Sequence, residues 1–148
     1  MRITDTLLSN LLSVFPVVPP EAGGILGSDD GGKTVTHFVF DAGKPLMDCA
    51  IYMPDIPFLN EVIRDFAAQG VQFCGMVHSH PSAEDTLSKD DEAYIQQIMN
   101  AMPTYVKVLY FPLVLPGIAV IPFSIRRKNG AIMKETLEVI FSAEGGET

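Results

Sequence analysis

The run Val71-Gln72-Phe73-Cys74-Gly75-Met76-Val77-His78-Ser79-His80-Pro81 is a short apolar segment that ends in two histidines and a proline. Its length and near-continuous apolar character predict a central strand over Val71 to Val77, covered on both faces. Residues i and i+2 of a strand share a face, so His78 and His80 project together at a spacing that one cation can bridge. Pro81 has no N–H to give and ends the ladder. By the same alternation Cys74 is expected on the face of His78 and His80. Four residues at ~3.3 Å each put it about 13 Å from His78, too far for a thiol–imidazole pair, so it reads as core.

Beyond Pro81 the spacing continues: six residues, then Ser88, two more, then Asp91. Ser88 to Met102 is read as a helix, with Ile95, Ile98, Met99 and Met102 inward and Pro103 stopping it. A carboxylate in its first turn can swing back to the histidine pair. Two neutral imidazoles, one carboxylate and a water make an open tetrahedral site; nitrogen and oxygen donors without thiolate suit zinc, with other divalent ions left open. The same residues have a structural reading. Ser88 with an acidic residue at N3 is a helix cap, and an acidic first turn complements the helix dipole. Asp90 replaces Asp91 as ligand if the helix register differs, and Glu84 and Asp85 are further carboxylates in the loop. His37, the third histidine, alternates with Val35 and Val39 and reads as a structural residue on a sheet face.

The rest of the chain frames this segment. With 148 residues, 47% hydrophobic and 19% charged, the chain is long enough for one domain spanning residues 1–148 with a sizeable core, and residues 143–148 read as a flexible tail. A formal net charge of −8 argues against nucleic acid or an anionic membrane as partner, since both reward clustered cations; Arg126-Arg127-Lys128 is the sole basic cluster. Two cysteines, Cys49 and Cys74, are too few for a disulfide framework and point to a reducing, cytoplasmic setting. Leu7, Leu8, Leu11, Leu12 and Phe15 predict an amphipathic helix between Thr4 or Asp5 and Pro16, and not a signal peptide. Glu21 to Gly27 is read as a glycine-thinned strand, Thr34 to Phe40 and Cys49 to Met53 as strands. Asp55 caps a helix with Pro57 in its first turn, Gly70 past its end and Phe58, Leu59, Val62, Ile63 and Phe66 as its stripe. Tyr105 to Phe111 is a strand, and Ala119 to Arg127 pairs with Ala131 to Phe141 around Asn129-Gly130. Strands mixed with about three helices predict an α/β sandwich on a mixed sheet.

His78-Ser79-His80-Pro81, six residues, Ser88, two residues, Asp91 resembles the signature of the JAMM metalloproteases, the catalytic members of the MPN (JAB/Mov34) family. Cys74-Gly75-Met76-Val77 is similar to the family's strand before the histidines. Glu21 in Pro20-Glu21-Ala22-Gly23-Gly24-Ile25-Leu26-Gly27 matches its early glutamate, 57 residues ahead of His78. The resemblance runs from Glu21 to Asp91 and, more loosely, through the C-terminal strands. It implies an MPN fold: a curved mixed sheet flanked by about three helices, cytidine-deaminase-like in architecture. It also implies His78, His80 and Asp91 as ligands of one zinc ion with a bound catalytic water, Glu21 as general base and then acid, and Ser88 as hydrogen-bond donor to the oxyanion.

JAMM relatives cut peptide or isopeptide bonds, often after the terminal glycines of ubiquitin-like or sulfur-carrier proteins, and the resemblance makes such a protein the expected substrate. The compact chain resembles the prokaryotic stand-alone JAB type. Many MPN domains have lost the metal and serve as scaffolds, but these typically lack one or more motif residues. A zinc hydrolase of another amide or of phosphoesters is a third reading. Gly145-Gly146 resembles the di-glycine that relatives cleave, though a flexible end is the simpler reading.

Overall fold

A computed structural model describes residues 1–43 and 52–141. The chain opens with β1 (Arg2–Thr4) and α1 (Asp5–Val14), capped by Thr4, whose side chain accepts the Leu7 N–H, and ended at Phe15 ahead of Pro16. β2 (Gly23–Ser28), β3 (Thr34–Val35) and β4 (His37–Asp41) follow. α2 (Ile56–Ala68) starts at the Asp55 cap with proline in its first turn and buries Leu59, Val62 and Phe66. β5 (Gln72–Ser79) leads to α3 (Lys89–Ala101), capped by Ser88. The remaining strands are β6 (Val108–Tyr110), β7 (Leu113–Leu115), β8 (Ala119–Ile121), β9 (Phe123–Arg126), β10 (Ile132–Lys134) and β11 (Glu138–Ile140).

Among the described residues the main sheet has eight strands, in the order β10-β9-β6-β5-β2-β4, with β7 beside β5 and β8 beyond β7. β5 is its spine, antiparallel to β2 and parallel to β6 and β7. This is the mixed α/β sandwich expected from the sequence. One face is covered by α2 and α3, whose Leu59, Val62, Phe66, Ile95, Ile98 and Met99 join Ile25, Met76 and Leu109 in one core. The other face is covered by α1, where Leu7 and Leu11 meet Leu26, Val77 and Val114. Burying such side chains at about 25 cal/mol per Å² holds the two layers on the sheet. A small second sheet, β11-β1-β3, is parallel throughout and sets Arg2 beside both Glu138 and Thr34.

Several expected strands divide. Thr34 to Phe40 becomes β3 and β4 because Thr36 leaves the ladder, its N–H donating to the Gly27 carbonyl. Ala119 to Arg127 breaks at Pro122, which lacks a ladder N–H, into β8 and β9. Ala131 to Phe141 splits so that β10 completes the Asn129-Gly130 hairpin, while β11 leaves for the second sheet. Of Tyr105 to Phe111 only the three residues of β6 pair. The expected strand Cys49 to Met53 lies in part outside the described residues, as do Gly145-Gly146; Tyr52 and Met53 are not in a strand.

The expected common face of Cys74 and the histidines is overturned. In the β2–β5 ladder Leu26 pairs Gly75 and Gly27 pairs Phe73, so Cys74 is an extra, unpaired residue at a bulge. Gly75 takes φ 147°, where side chains are disfavoured, and β6 passes so close that a Cβ there would lie 1.7 Å from the Tyr110 carbonyl oxygen. The bulge flips the alternation: Cys74 packs with Val77 on the α1 side, Met76 on the other. Cys74 is buried, and that burial pushes its thiol well above the ordinary range, so it stays neutral and unreactive.

Candidate metal centre

β5 carries His78 to the α3 side of the sheet and ends at Ser79, so His80 stands just past the last paired residue. Both imidazoles are buried, His78 completely. His78 Nε2 lies 3.2 Å from His80 Nε2. Asp91, buried in the first turn of α3, sets Oδ2 at 3.2 Å from His78 Nε2 and 3.3 Å from His80 Nε2. Glu21, half-buried just ahead of β2, brings Oε2 to 3.8 Å from His80 Nε2. One donor atom from each of Glu21, His78, His80 and Asp91 lies within 4.8 Å of the others.

Two ring nitrogens and a carboxylate oxygen meeting this closely, away from water, need positive charge between them. A divalent cation fits the donor set, which is borderline in softness and free of thiolate. Without one, protons take its place. For His80, burial works against the charged ring, but Asp91, the Glu84 carbonyl and Glu21 outweigh it and raise its pKa. For Asp91, burial favours the neutral acid, yet hydrogen bonds from His78 and His80 overcome this and hold the carboxyl far below its usual range.

The two readings of Asp91, cap and ligand, coexist in one atom. Oδ2 accepts the Ser88 N–H at 2.9 Å, while the Asp91 N–H donates to Ser88 Oγ at 3.0 Å, a reciprocal capping box. The box fixes the carboxylate rotamer that points at the imidazoles. Ser88 itself is exposed, and its hydroxyl, which accepts the Asp91 N–H, still carries a proton to donate. Asp90 is exposed and outside the four-residue group. Glu84 contributes its backbone: its carbonyl lies 2.8 Å from His80 Nδ1. The Asp85 side chain is exposed and outside the group too. His37 is half-buried, its Nδ1 2.8 Å from Thr36 Oγ1 and its ring edge-on to Phe66.

Three supporting residues escape sequence reading. Ser79 is fully buried; its Oγ accepts the Ala22 N–H at 3.1 Å, and its N–H donates to the Ala22 carbonyl at 2.8 Å. It thereby ties the residue after Glu21 to the residue between the two histidines. The signal was a serine at the inward alternate position of a buried strand, which must find a polar partner. Tyr52 donates its N–H to Glu21 Oε1 at 3.0 Å, leaving Oε2 to face His80. The Tyr52 hydroxyl donates to buried Asp41 at 2.8 Å, which anchors that segment. Tyr94 places Oη 3.2 Å from His78 Nδ1; its position three residues past Asp91, on the same helix face, was the available clue.

The profile of prokaryotic homologues of the JAB domain matches residues 14–123, an interval that holds all four donor residues and Ser88. A solution structure of a protein from Desulfitobacterium hafniense is similar in fold, with TM-score 0.64 and 19% identity over 97% of this chain and 93% of that one. Another, of a protein from Salinibacter ruber, has TM-score 0.59 and 17% identity over 95% of this chain and 92% of that one. Among curated proteins none matches.

Proposed function

The chain belongs to the prokaryotic homologues of the JAB domain, and on that premise we propose that it is a zinc-dependent peptidase or isopeptidase. The observation that carries the reading is the buried convergence of His78, His80 and Asp91 with Glu21 beside them. In this reading His78, His80 and Asp91 hold the ion. When bound, zinc supplies Lewis acidity, drawing the pKa of water down toward about 7 and polarising a carbonyl. Glu21, with Oε1 held by the Tyr52 N–H, uses Oε2 to accept the proton of the attacking water and then passes it to the leaving amine. A positioned carboxylate of this kind typically adds about 10²–10⁴ in rate. Ser88 Oγ accepts from Asp91 N–H and keeps its proton to donate to the developing oxyanion, typically worth about 10²–10³. The substrate we propose is the Gly-Gly end of a ubiquitin-like or sulfur-carrier protein, met in a reducing cytoplasm where Cys74 remains a thiol.

The test incubates zinc-loaded protein with ubiquitin-like and sulfur-carrier fusions, and separately with a phosphoester panel, and reads the cut by mass spectrometry. Cleavage after the di-glycine, lost in Glu21→Gln while bound zinc by elemental analysis is retained, is the expected outcome. A fully active Glu21→Gln, or turnover of phosphoesters alone, overturns the reading.

A further inference from the structure

Resting on the cation-binding reading of the site, we infer that the Tyr94 hydroxyl is a positioning group that sets the proton of His78 on Nδ1 when a cation is bound. The two imidazoles are held differently. His80 Nδ1 faces the Glu84 carbonyl at 2.8 Å, and a carbonyl only accepts. With a cation bound, His80 therefore keeps a proton on Nδ1 and turns a bare Nε2 inward. His78 Nδ1 faces Tyr94 Oη at 3.2 Å, and a hydroxyl both donates and accepts.

That difference has a purpose in the geometry. His78 Nε2 is 3.2 Å from His80 Nε2 and 3.2 Å from Asp91 Oδ2. To give its Nε2 lone pair to an ion, His78 must carry the proton on Nδ1. Fully buried, that N–H needs an acceptor, and Tyr94 Oη is placed to be it. The phenol keeps its own proton and turns it away from the ring; Tyr94 also lines a cavity of about 330 Å³ with Tyr52, Met53, Asp90, Asp91 and Gln97. Tyr94 itself cannot drift: its ring packs edge-on against both His78 and Phe111, centroids 6.0 and 6.2 Å away.

Tyr94→Phe removes the oxygen and keeps the ring packing. Zinc affinity is measured by competition with a chromophoric chelator, and the His78 ring tautomer by ¹⁵N chemical shifts of the zinc-loaded protein. The expected result is about 10–100-fold weaker zinc binding, together with loss of the protected Nδ1–H signal of His78. Affinity within twofold of the parent overturns the inference, as does weaker binding with the His78 signals unchanged. If the parent protein binds no zinc, the cation reading falls instead, so the two failures are distinct. A Tyr94→Phe chain that folds only with zinc still reports its His78 tautomer in the loaded state.

Discussion

At Gly75 the backbone takes φ 147° while the Tyr110 carbonyl fills the place of a side chain. Gly75→Ala therefore meets strain and overlap with backbone that cannot yield. The expected cost is more than about 3 kcal/mol, read from urea unfolding midpoints; an alanine variant within 1 kcal/mol, roughly the ordinary surface effect, contradicts this account. The same residue marks where sequence reading stopped. The parity that put His78 and His80 on one face holds because no bulge lies between them. The parity that put Cys74 with them failed because register across β2 and β5 is set by a partner strand 46 to 49 residues away (Gly27 against Phe73, Leu26 against Gly75), and alternation within one strand carries no such information. His78, His80, Ser88 and Asp91 were readable through their spacing, and Glu21 only through the family resemblance that this spacing carries. Tyr94 and Ser79 carry only faint local signals, a helix-face position and a serine in a buried strand, and their partners emerge only from contacts.

Elements held by local chemistry were legible: α1, α2 and α3 each start at the capping residue read from sequence. Short strands that pair with remote chain were not. β1 and β7 are three residues each, below the length at which alternation is visible. The turn between β2 and β3 supplies a pH prediction. Asp30 Oδ1 accepts from Ser28 Oγ at 2.7 Å and from the Thr34 N–H at 2.8 Å. Partial desolvation works against the carboxylate, but these bonds prevail and lower its pKa from the ordinary 3.8 to about 2. A lowered native pKa contributes stability above the unfolded value and loses it as pH falls. The deficit of Asp30→Ala relative to the parent, seen in urea midpoints at pH 7, should thus shrink between about pH 4 and pH 2. Because Asp30 is exposed, that deficit is small.

Across the whole molecule, no helix among the described residues is long and apolar enough to cross a membrane, and the sheet is sandwiched by two separate cores. The candidate ligands come from the spine strand, the residue just past it and a helix on one side of it, so a cation bound there would bridge layers of the native state and have no preformed site in the unfolded chain. Zinc at a thousandfold excess over its dissociation constant should add about 4 kcal/mol, a rise of roughly 10 °C in Tm for a chain of this size. Differential scanning calorimetry should show that rise, its reversal by 1,10-phenanthroline, and its absence in His78→Ala. An equal zinc-induced rise in His78→Ala would mean the ion binds elsewhere. The architecture was legible as a mixed sandwich because helix and strand periods alternate along the chain. The second sheet was not, since nothing local predicts that β11 would abandon the β10 hairpin for β1.

The clasp between Ser79 and Ala22 has one more implication. It welds two distant stretches of chain into a single stiff piece, so the histidine motif is not a portable cassette. Grafted alone into a foreign strand, His78-Ser79-His80-Pro81 would arrive without its glutamate and with an orphaned serine; a designer would have to transplant both stretches and the bonds between them.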